Sequence, residues 1–184
     1  NKDNYPLERI DRNIHRIDNT LTVLTDYSKK QNIKTEQQNF SEWVEEFWAE
    51  EALAAAHPNV SFDINLEKNI ITRFDAESIR RAVLNLLDNA LTAGKDQQAL
   101  QISLSLTAHK KHIYLTVEDS GPGFISADHA VLCEPLVSGS ATGLGLGLAI
   151  VNDIVKLHEG TLELGKSKGL GGAAVSLVVP ITSA

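Results

Sequence analysis

A chain of 184 residues with 42% apolar and 22% charged side chains has the composition of a globular protein with one ordinary domain and an accessory element. Its formal net charge of −7 argues against nucleic acid as a partner, because no face rich in lysine and arginine is evident. No apolar run approaches the length of a membrane span, and a single cysteine cannot form an internal disulfide. Because the sequence lacks methionine and begins at Asn1, we expect it to be a fragment of a longer protein.

The first predicted element is a long amphipathic helix within residues 1–38. Its apolar residues recur at steps of three and four, as in the seam of a helical bundle or coiled coil: Leu7, Ile10, Ile14, Ile17, Leu21 and Leu24. One helix cannot bury such a seam alone, so we expect a homodimer through a bundle of these helices. The alternative is that the seam packs on the rest of the same chain.

A shorter helix, two strands and a second amphipathic helix are predicted next. Ser41 is expected to cap the shorter helix. Alternation over 60–66 and a short apolar run over 70–74 predict strands that pair with each other. Asp75 is expected to cap the second helix, which extends to Gly94.

Two further strand pairs and a third helix complete the predicted order. Residues 102–107 and 113–117 alternate between apolar and polar, which predicts a hairpin. A helix follows Gly147, and strands at 161–164 and 173–179 flank a glycine-rich turn. This order predicts an α+β two-layer sandwich, with helices on one face of a mixed sheet, preceded by the long N-terminal helix.

Two asparagines lie on the polar side of the predicted helix that ends at Gly94. Asn85 and Asn89 are four residues apart, so their side chains lie one above the other. Asparagine is unfavourable inside a helix, and amide oxygens can join phosphate oxygens around Mg²⁺. The pair is a candidate site for a metal and phosphate, although two solvated amides would give the same pattern.

Asp119 continues the buried face of the strand 113–117 at the point where that strand ends. A buried carboxylate requires hydrogen-bond donors, and the exocyclic amine of adenine is one, whereas guanine has a carbonyl at that position. The alternative is that Asp119 caps the turn that follows. In that turn Gly121 and Gly123 permit positive φ and a close approach of the backbone to a ligand.

Three alternate glycines lead into the third helix. Gly143, Gly145 and Gly147 would leave free N–H groups and the positive end of the helix dipole facing an anion, so phosphate is the expected ligand. The spacing is neither that of a dinucleotide-binding fingerprint nor that of a P-loop. Cys133 and the histidines form no metal-ligand pattern, so Mg²⁺ bound with a nucleotide is the expected metal.

Taken in order, these segments resemble the asparagine box and glycine boxes of sensor histidine kinases: Asn85-Leu-Leu-Asp-Asn-Ala90, Asp119-Ser-Gly-Pro-Gly123, Gly143-Leu-Gly-Leu-Gly-Leu-Ala149 and Gly171-Gly172. The segment 134–139 is similar to kinases of the nitrogen-regulator and dicarboxylate-sensor type. The likeness covers roughly residues 40–180. It implies a GHKL ATP-binding domain at 39–184 with a mobile lid, preceded at 1–38 by part of a dimerisation and phosphotransfer domain.

The resemblance also implies roles for the residues. Asn89 would bind Mg²⁺, Asn85 would help to place the phosphates, and Asp119 would accept a hydrogen bond from the adenine amine of ATP. The other implied nucleotide-binding residues shape the pocket and hinge the lid: Gly121, Gly123, Gly143, Leu144, Gly145, Gly147 and Leu148. The implied reaction transfers the γ-phosphoryl group of ATP to a histidine of the dimerisation domain and then to the receiver domain of a response regulator. This would occur on the cytoplasmic side, with or without a membrane anchor on the full-length protein.

Some residues depart from the family's pattern. His15 is followed by Arg16 where an acid is usual, and Thr20 replaces a proline, so we expect the phosphoacceptor histidine upstream of this chain. The lid from 125 to 142 contains no lysine or arginine, and Thr92 stands where a basic residue is usual. The basic residues that could compensate are Arg80, Arg81 and Lys95.

These departures leave two alternative functions open. One is a degenerate GHKL module that binds a nucleotide or dimerises without turnover, which the absence of lysine and arginine from the lid favours. The other is a GHKL ATPase, as in chaperones, topoisomerases and mismatch-repair proteins. In those proteins a glutamate activates water, and it would fall at Asn85, so its absence argues for transfer to a protein acceptor.

Overall fold

A computed structural model describes residues 33–95, 97–124, 126, 128–134 and 145–182. All of these residues belong to one unit, Ile33–Ala184. The predicted apolar seam from Leu7 to Leu24, with His15 inside it, lies outside the described residues. Within the described ranges, no helix combines the length and the apolar character that a membrane crossing requires.

The described unit contains five helices and seven strands among the residues that can be placed. In chain order they are β1 (Glu36–Asn39), α1 (Phe40–Glu51), α2 (Leu53–Ala56), β2 (Val60–Leu66), β3 (Ile71–Phe74), α3 (Ala76–Ala93), β4 (Leu100–His109), β5 (His112–Asp119), α4 (His129–Leu132), α5 (Gly147–Leu157), β6 (Thr161–Lys166) and β7 (Ala173–Pro180).

Five of the strands form a mixed sheet in the order β2-β4-β5-β7-β6. β2 runs parallel to β4, whereas the other neighbouring strands are antiparallel. The predicted hairpin is confirmed as β4 and β5, and the last predicted pair is confirmed as β6 and β7. β1 and β3 form a separate two-stranded antiparallel sheet.

The predicted pairing of residues 60–66 with 70–74 is wrong. The two segments are strands, but β2 pairs with β4 and β3 pairs with β1. The Ser41 hydroxyl donates to the carbonyl of Glu67 at 2.7 Å and accepts from the N–H of Ile70 at 3.1 Å. These backbone groups, which a hairpin turn would use, are therefore bound to helix α1. The alternation identified the strands without identifying their partners, because partner choice depends on distant residues.

The start of α1 also differs from the prediction. Asn39, not Ser41, is the N-cap residue, and its side chain accepts from the N–H of Glu42 at 3.4 Å. Ser41 lies inside the helix, where it is buried and makes the two bonds just described. Strand β1, Glu36–Asn39, includes the last residues of the segment 1–38 that was assigned to the N-terminal helix. Phe40 at the helix start packs on Phe74 of β3, with ring centroids 4.5 Å apart, so the small sheet is held against α1.

Helices α3 and α5 pack against each other and against one face of the five-stranded sheet. The core lies between these layers and includes fully buried side chains from both: Ile79, Val83, Leu87, Val151, Ile154, Leu104, Leu115 and Leu177. On the opposite face the strands carry small polar residues, and the hydroxyls of Thr116 and Ser176 lie 2.8 Å apart across two strands. The predicted two-layer α+β sandwich with helices on one face of a mixed sheet is confirmed.

Hydrogen bonds tie the start of α3 to the end of α5. Asp75 is the N-cap of α3, as predicted, and its carboxylate accepts from the N–H of Ser78 at 2.9 Å. The N–H of Asp75 donates to Nε2 of the buried His158 at 3.0 Å. Nδ1 of His158 lies 2.8 Å from the carbonyl of Ile154, so both ring nitrogens have a backbone partner. This connection fixes the two helices relative to each other, and both helices carry predicted site residues.

Candidate nucleotide-binding site

Asn89 on α3 lies against the first residue of α5. A Cβ atom built on Gly147 would lie 3.1 Å from both Nδ2 and Oδ1 of Asn89, which is closer than an ordinary contact. The absence of a side chain at Gly147 therefore leaves room for the Asn89 amide. The structure brings together two candidate site residues that are far apart in the sequence.

The start of α5 has the features of an anion site. Its N-cap residue is Leu146, and no side chain caps the helix with a hydrogen bond. The first N–H groups of a helix have no partner within the helix, and they lie at the positive end of its dipole. Gly145 has a φ of +66°, a conformation that favours glycine, and Leu148 is half-buried in the first turn. Gly143 and Leu144 lie outside the described residues.

Asn85 lies one helical turn before Asn89. Its side chain is half-buried, and its Nδ2 donates to the carbonyl of Arg81 in the same helix at 2.9 Å. This bond fixes the orientation of the amide. Its Oδ1 accepts from none of the residues that the structure describes and is available to a ligand.

Asp119 is buried at the end of β5, with 6% of its surface exposed. One carboxylate oxygen, Oδ1, accepts from the N–H of Gly121 at 2.7 Å and from the N–H of Ala173 at 3.2 Å. The other oxygen, Oδ2, receives no hydrogen bond from the described part of the chain. Burial raises the pKa of Asp119, and the two backbone donors only partly offset that effect.

The sequence left open whether Asp119 caps the turn or binds a ligand. The structure has Oδ1 capping the turn while Oδ2 remains for a donor from outside.

The glycines around Asp119 are needed for different reasons. A Cβ on Gly121 would lie 2.8 Å from Oδ1 of Asp119, and a Cβ on Gly172 would overlap the same atom. Gly123 has a φ of +79°, so it needs glycine for its backbone conformation. Sequence reasoning assigned no site role to Gly172 or Ala173, although both hold Asp119. The glycine pair at 171 and 172 was the one signal for them.

Helix α3 lies beside both parts of the candidate site. Gly121, in the turn after Asp119, approaches the backbone of Ala93, since a Cβ there would lie 3.8 Å from the Ala93 carbonyl carbon. Asn89, which contacts the start of α5, is four residues earlier, about 6 Å along the helix. A ligand with a flat base at Asp119 and an anionic group at the start of α5 would therefore lie beside the C-terminal turns of α3.

One of the basic residues suggested as compensation for the absence of lysine and arginine from the lid is bound elsewhere. Arg80 pairs with Glu50 at 2.9 Å and with Glu51, both at the end of α1. Its guanidinium carbon lies 5.3 Å from the ring centroid of Phe47. The hydrogen bond to Glu50 raises the pKa of Arg80. Arg80 therefore stabilises the contact between α1 and α3.

The sequence matches known proteins over most of the described unit. Residues 74–183 match the family described as histidine kinase-, DNA gyrase B-, and HSP90-like ATPase. The chain is 32% identical over 135 residues to the sensor histidine kinase TmoS of Ectopseudomonas mendocina. This match covers 70% of this chain and 14% of TmoS. It is 28% identical over 160 residues to the sensor histidine kinase CssS of Bacillus subtilis strain 168. This second match covers 87% of this chain and 34% of CssS. The chain thus spans well under half the length of either relative.

The fold has a solved counterpart. The structure of the mycobacterial sensor histidine kinase MprB superimposes with a TM-score of 0.68 at 24% identity, covering 82% of this chain and 100% of that one. The family match includes α3, the strand that ends at Asp119 and the start of α5, which are the elements that form the candidate site. The chain belongs to the histidine kinase-, DNA gyrase B- and HSP90-like ATPases, and within them it carries the GHKL ATP-binding catalytic domain of a sensor histidine kinase.

Proposed function

We propose that this domain binds Mg-ATP and supports transfer of the γ-phosphoryl group to a histidine of a dimerisation domain, from which a response-regulator receiver domain is phosphorylated. The observation that carries the proposal is the carboxylate of Asp119. It is buried, its Oδ1 is held by two backbone N–H groups, and its Oδ2 is left without a donor among the described residues. The exocyclic amine of adenine supplies such a donor.

The phosphates of the nucleotide lie at the start of α5 in this proposal. The uncapped N–H groups of its first turn bind phosphate oxygens, and the Asn89 amide lies against the first residue of this helix. The amide oxygen of Asn89 is a hard ligand of the kind that Mg²⁺ takes together with phosphate oxygens and water, so the residues fit this metal. When bound, Mg²⁺ supplies charge neutralisation at the transferred group.

The domain contributes positioning rather than covalent chemistry. Phosphoryl transfer depends chiefly on holding donor and acceptor in line and on stabilising charge. Asp119 fixes the base and the α5 N-terminus fixes the phosphates, so the terminal phosphoryl group is presented to an acceptor brought by another domain. A glutamate that would activate water is absent, since Asn85 occupies that position in the resemblance. This supports transfer to a protein acceptor over hydrolysis.

The binding step is tested by titrating the chain with ADP and MgCl₂ in a calorimeter. We expect Asp119→Asn to lower the affinity by at least tenfold, because the amide presents a donor to the adenine amine and leaves both donors unpaired. Glu118→Gln is the matched control, since it makes the same chemical change on the neighbouring residue, whose side chain lies on the other face of β5. If Asp119→Asn and the wild type bind ADP equally, the adenine assignment is wrong.

A nucleotide-binding module without turnover is the second candidate. The observation that favours it is the absence of lysine and arginine from residues 125–142, together with the engagement of Arg80 by Glu50 and Glu51. Incubating the chain with labelled ATP and a separately produced histidine-bearing domain of the full-length protein distinguishes the two functions. Acid-labile label on that domain supports the kinase, whereas ADP binding without label transfer supports the module.

A further inference from the structure

The turn between β6 and β7 contains a serine that is more buried than a turn residue usually is. Ser167 is 2% exposed, although it lies in a connection of six residues, 167–172, at the edge of the sheet. Such a buried polar residue must satisfy its hydrogen bonds within the protein. The function proposed above gives this serine no role.

Ser167 closes the turn with three hydrogen bonds. Its N–H donates to the carbonyl of Gly172 at 2.9 Å, and its carbonyl accepts from the N–H of Gly171 at 3.1 Å. Its hydroxyl accepts from the N–H of Leu170 at 2.9 Å. Gly171 has a φ of +88°, so the turn closes through a backbone conformation that favours glycine.

The same turn holds Asp119. The N–H of Gly172 donates to the backbone carbonyl of Asp119 at 3.1 Å, and the N–H of Ala173 donates to its Oδ1 at 3.2 Å. The carbonyl of Gly172 and the N–H of Ala173 belong to one peptide unit. That unit is planar and trans, so its oxygen and hydrogen point in opposite directions. One rigid plane therefore connects the N–H of Ser167 to the carboxylate of Asp119, and rotating this plane would disturb both bonds.

We propose that Ser167 is a positioning residue for base recognition. By closing the 167–172 turn, it fixes the peptide unit that binds Oδ1 of Asp119, and it thereby directs Oδ2 toward the donor of the bound base. This inference rests on the proposed adenine site. It identifies the β6–β7 turn as the part of the domain that determines the preference for a purine with an amino group at position 6.

The test compares two nucleotides on the full chain: ADP and the diphosphate of purine riboside, which lacks the 6-amino group. We expect Ser167→Ala to lower the affinity for ADP about threefold to tenfold, the effect of one hydrogen bond, and to leave purine riboside diphosphate binding unchanged. The ratio of the two affinities therefore falls. A role in folding alone would change both affinities together or neither.

A matched pair of glycine variants gives a second measurement if Ser167→Ala does not fold. A Cβ on Gly169 or on Gly171 would meet no atom within 4 Å, but only Gly171 has a positive φ. Gly171→Ala strains the backbone of the turn without a steric clash, so we expect it to lower the ratio. Gly169→Ala lies in the same turn and should leave the ratio unchanged.

Two outcomes overturn the inference in different ways. If the wild type binds both nucleotides equally, the adenine assignment fails and the role of Ser167 fails with it. If the wild type prefers ADP but Ser167→Ala and Gly171→Ala keep the wild-type ratio, only the role of the turn is wrong. Amide exchange supplies an independent check, because a loosened turn should speed the exchange of the Ala173 N–H, which binds Asp119.

Discussion

At the scale of single residues, the buried carboxylate of Asp119 costs stability and leaves one oxygen for the proposed ligand. Its buried carboxylate has protein donors on Oδ1, and among the described residues none reaches Oδ2. Burial raises its pKa, which means that the ionised form is less favourable in the folded protein than in the unfolded chain. A group of this kind is expected where function, rather than folding, selects the residue.

The sign of this pKa shift makes a prediction about stability without nucleotide. Because the folded-state pKa of Asp119 is raised, its contribution to the free energy of unfolding is lowest above that pKa and increases as the pH falls through it. Asp119→Asn should therefore raise the melting temperature at pH 7 while abolishing tight ADP binding. The gain should shrink as the pH approaches about 4, the ordinary aspartate pKa. Thermal melts between pH 4 and 8 test this, and a variant less stable than wild type at pH 7 would contradict it.

Gly147 gives a second prediction at this scale. Alanine is preferred to glycine inside helices by up to about 1 kcal/mol, so Gly147→Ala alone should not weaken α5. Its added Cβ would lie 3.1 Å from both polar atoms of the Asn89 amide and would displace it. We expect the melting temperature to change little and the Mg²⁺ dependence of ADP affinity to decrease severalfold. Gly165→Ala is the control, because a Cβ there meets no atom within 4 Å. Unchanged Mg²⁺ dependence in Gly147→Ala would remove Asn89 from the metal site.

At the scale of elements, local patterns predicted the cap and the end of helix α3 correctly, but they did not predict the partner of strand β2. The period of α3, its cap at Asp75 and its end near Gly94 were all predicted, because cap and period are local properties. The partner of β2 was predicted wrongly, since an alternating segment can pair with any strand of matching length. Serine often caps helices, but Ser41 is buried, and its hydroxyl binds the backbone of Glu67 and Ile70 instead.

Asp75 allows a test at this scale. Burial alone would raise the pKa of Asp75, but hydrogen bonds from Ser78 and from the backbone N–H of Lys34 lower it overall. A carboxylate with a lowered folded-state pKa stabilises the protein above its unfolded pKa, and this stability is lost as the pH falls through the folded value. Asp75→Ala should cost about 1 kcal/mol at pH 7, as for other caps, and less in acid.

Urea denaturation at pH 7 and pH 3 measures this effect. Asp75→Asn serves as the control, because it keeps an oxygen that can accept from the N–H of Ser78 but removes the charge. We expect its loss to be smaller than that of Asp75→Ala. Equal free energies of unfolding for wild type and Asp75→Ala at pH 7 would show that the cap is unimportant to α3.

At the scale of the whole molecule, the domain predicted at 39–184 and the helix predicted at 1–38 stay separate proposals. The described residues include Asn85, Asn89, Asp119 and the start of α5, whereas the predicted site residues Gly143 and Leu144 lie outside them. The seam from Leu7 to Leu24 lies outside them, so its role in dimerisation rests on its heptad spacing. In the function proposed above the acceptor histidine belongs to the dimerisation domain, so the proposed kinase would need both parts.

Substitution in the seam tests the dimer. Placing charges at two seam positions, Ile14→Glu with Leu21→Glu, should shift the chain from dimer to monomer in sedimentation, because burying these carboxylates between helices is costly. ADP affinity should stay within twofold of wild type, since the candidate site lies entirely in the described unit. A variant that remains dimeric would show that the seam is not the dimer interface.

The sequence by itself determined the fold class and the order of most elements, and it predicted the candidate site residues. These follow from local periodicity, from glycines where the backbone needs them, and from polar residues where packing does not. Only the tertiary structure decided that Asn89 meets Gly147, that the two oxygens of Asp119 have different partners, and that the Ser167 turn lies behind Asp119. Each of these depends on contacts between segments far apart in the chain, and no local pattern encodes such contacts.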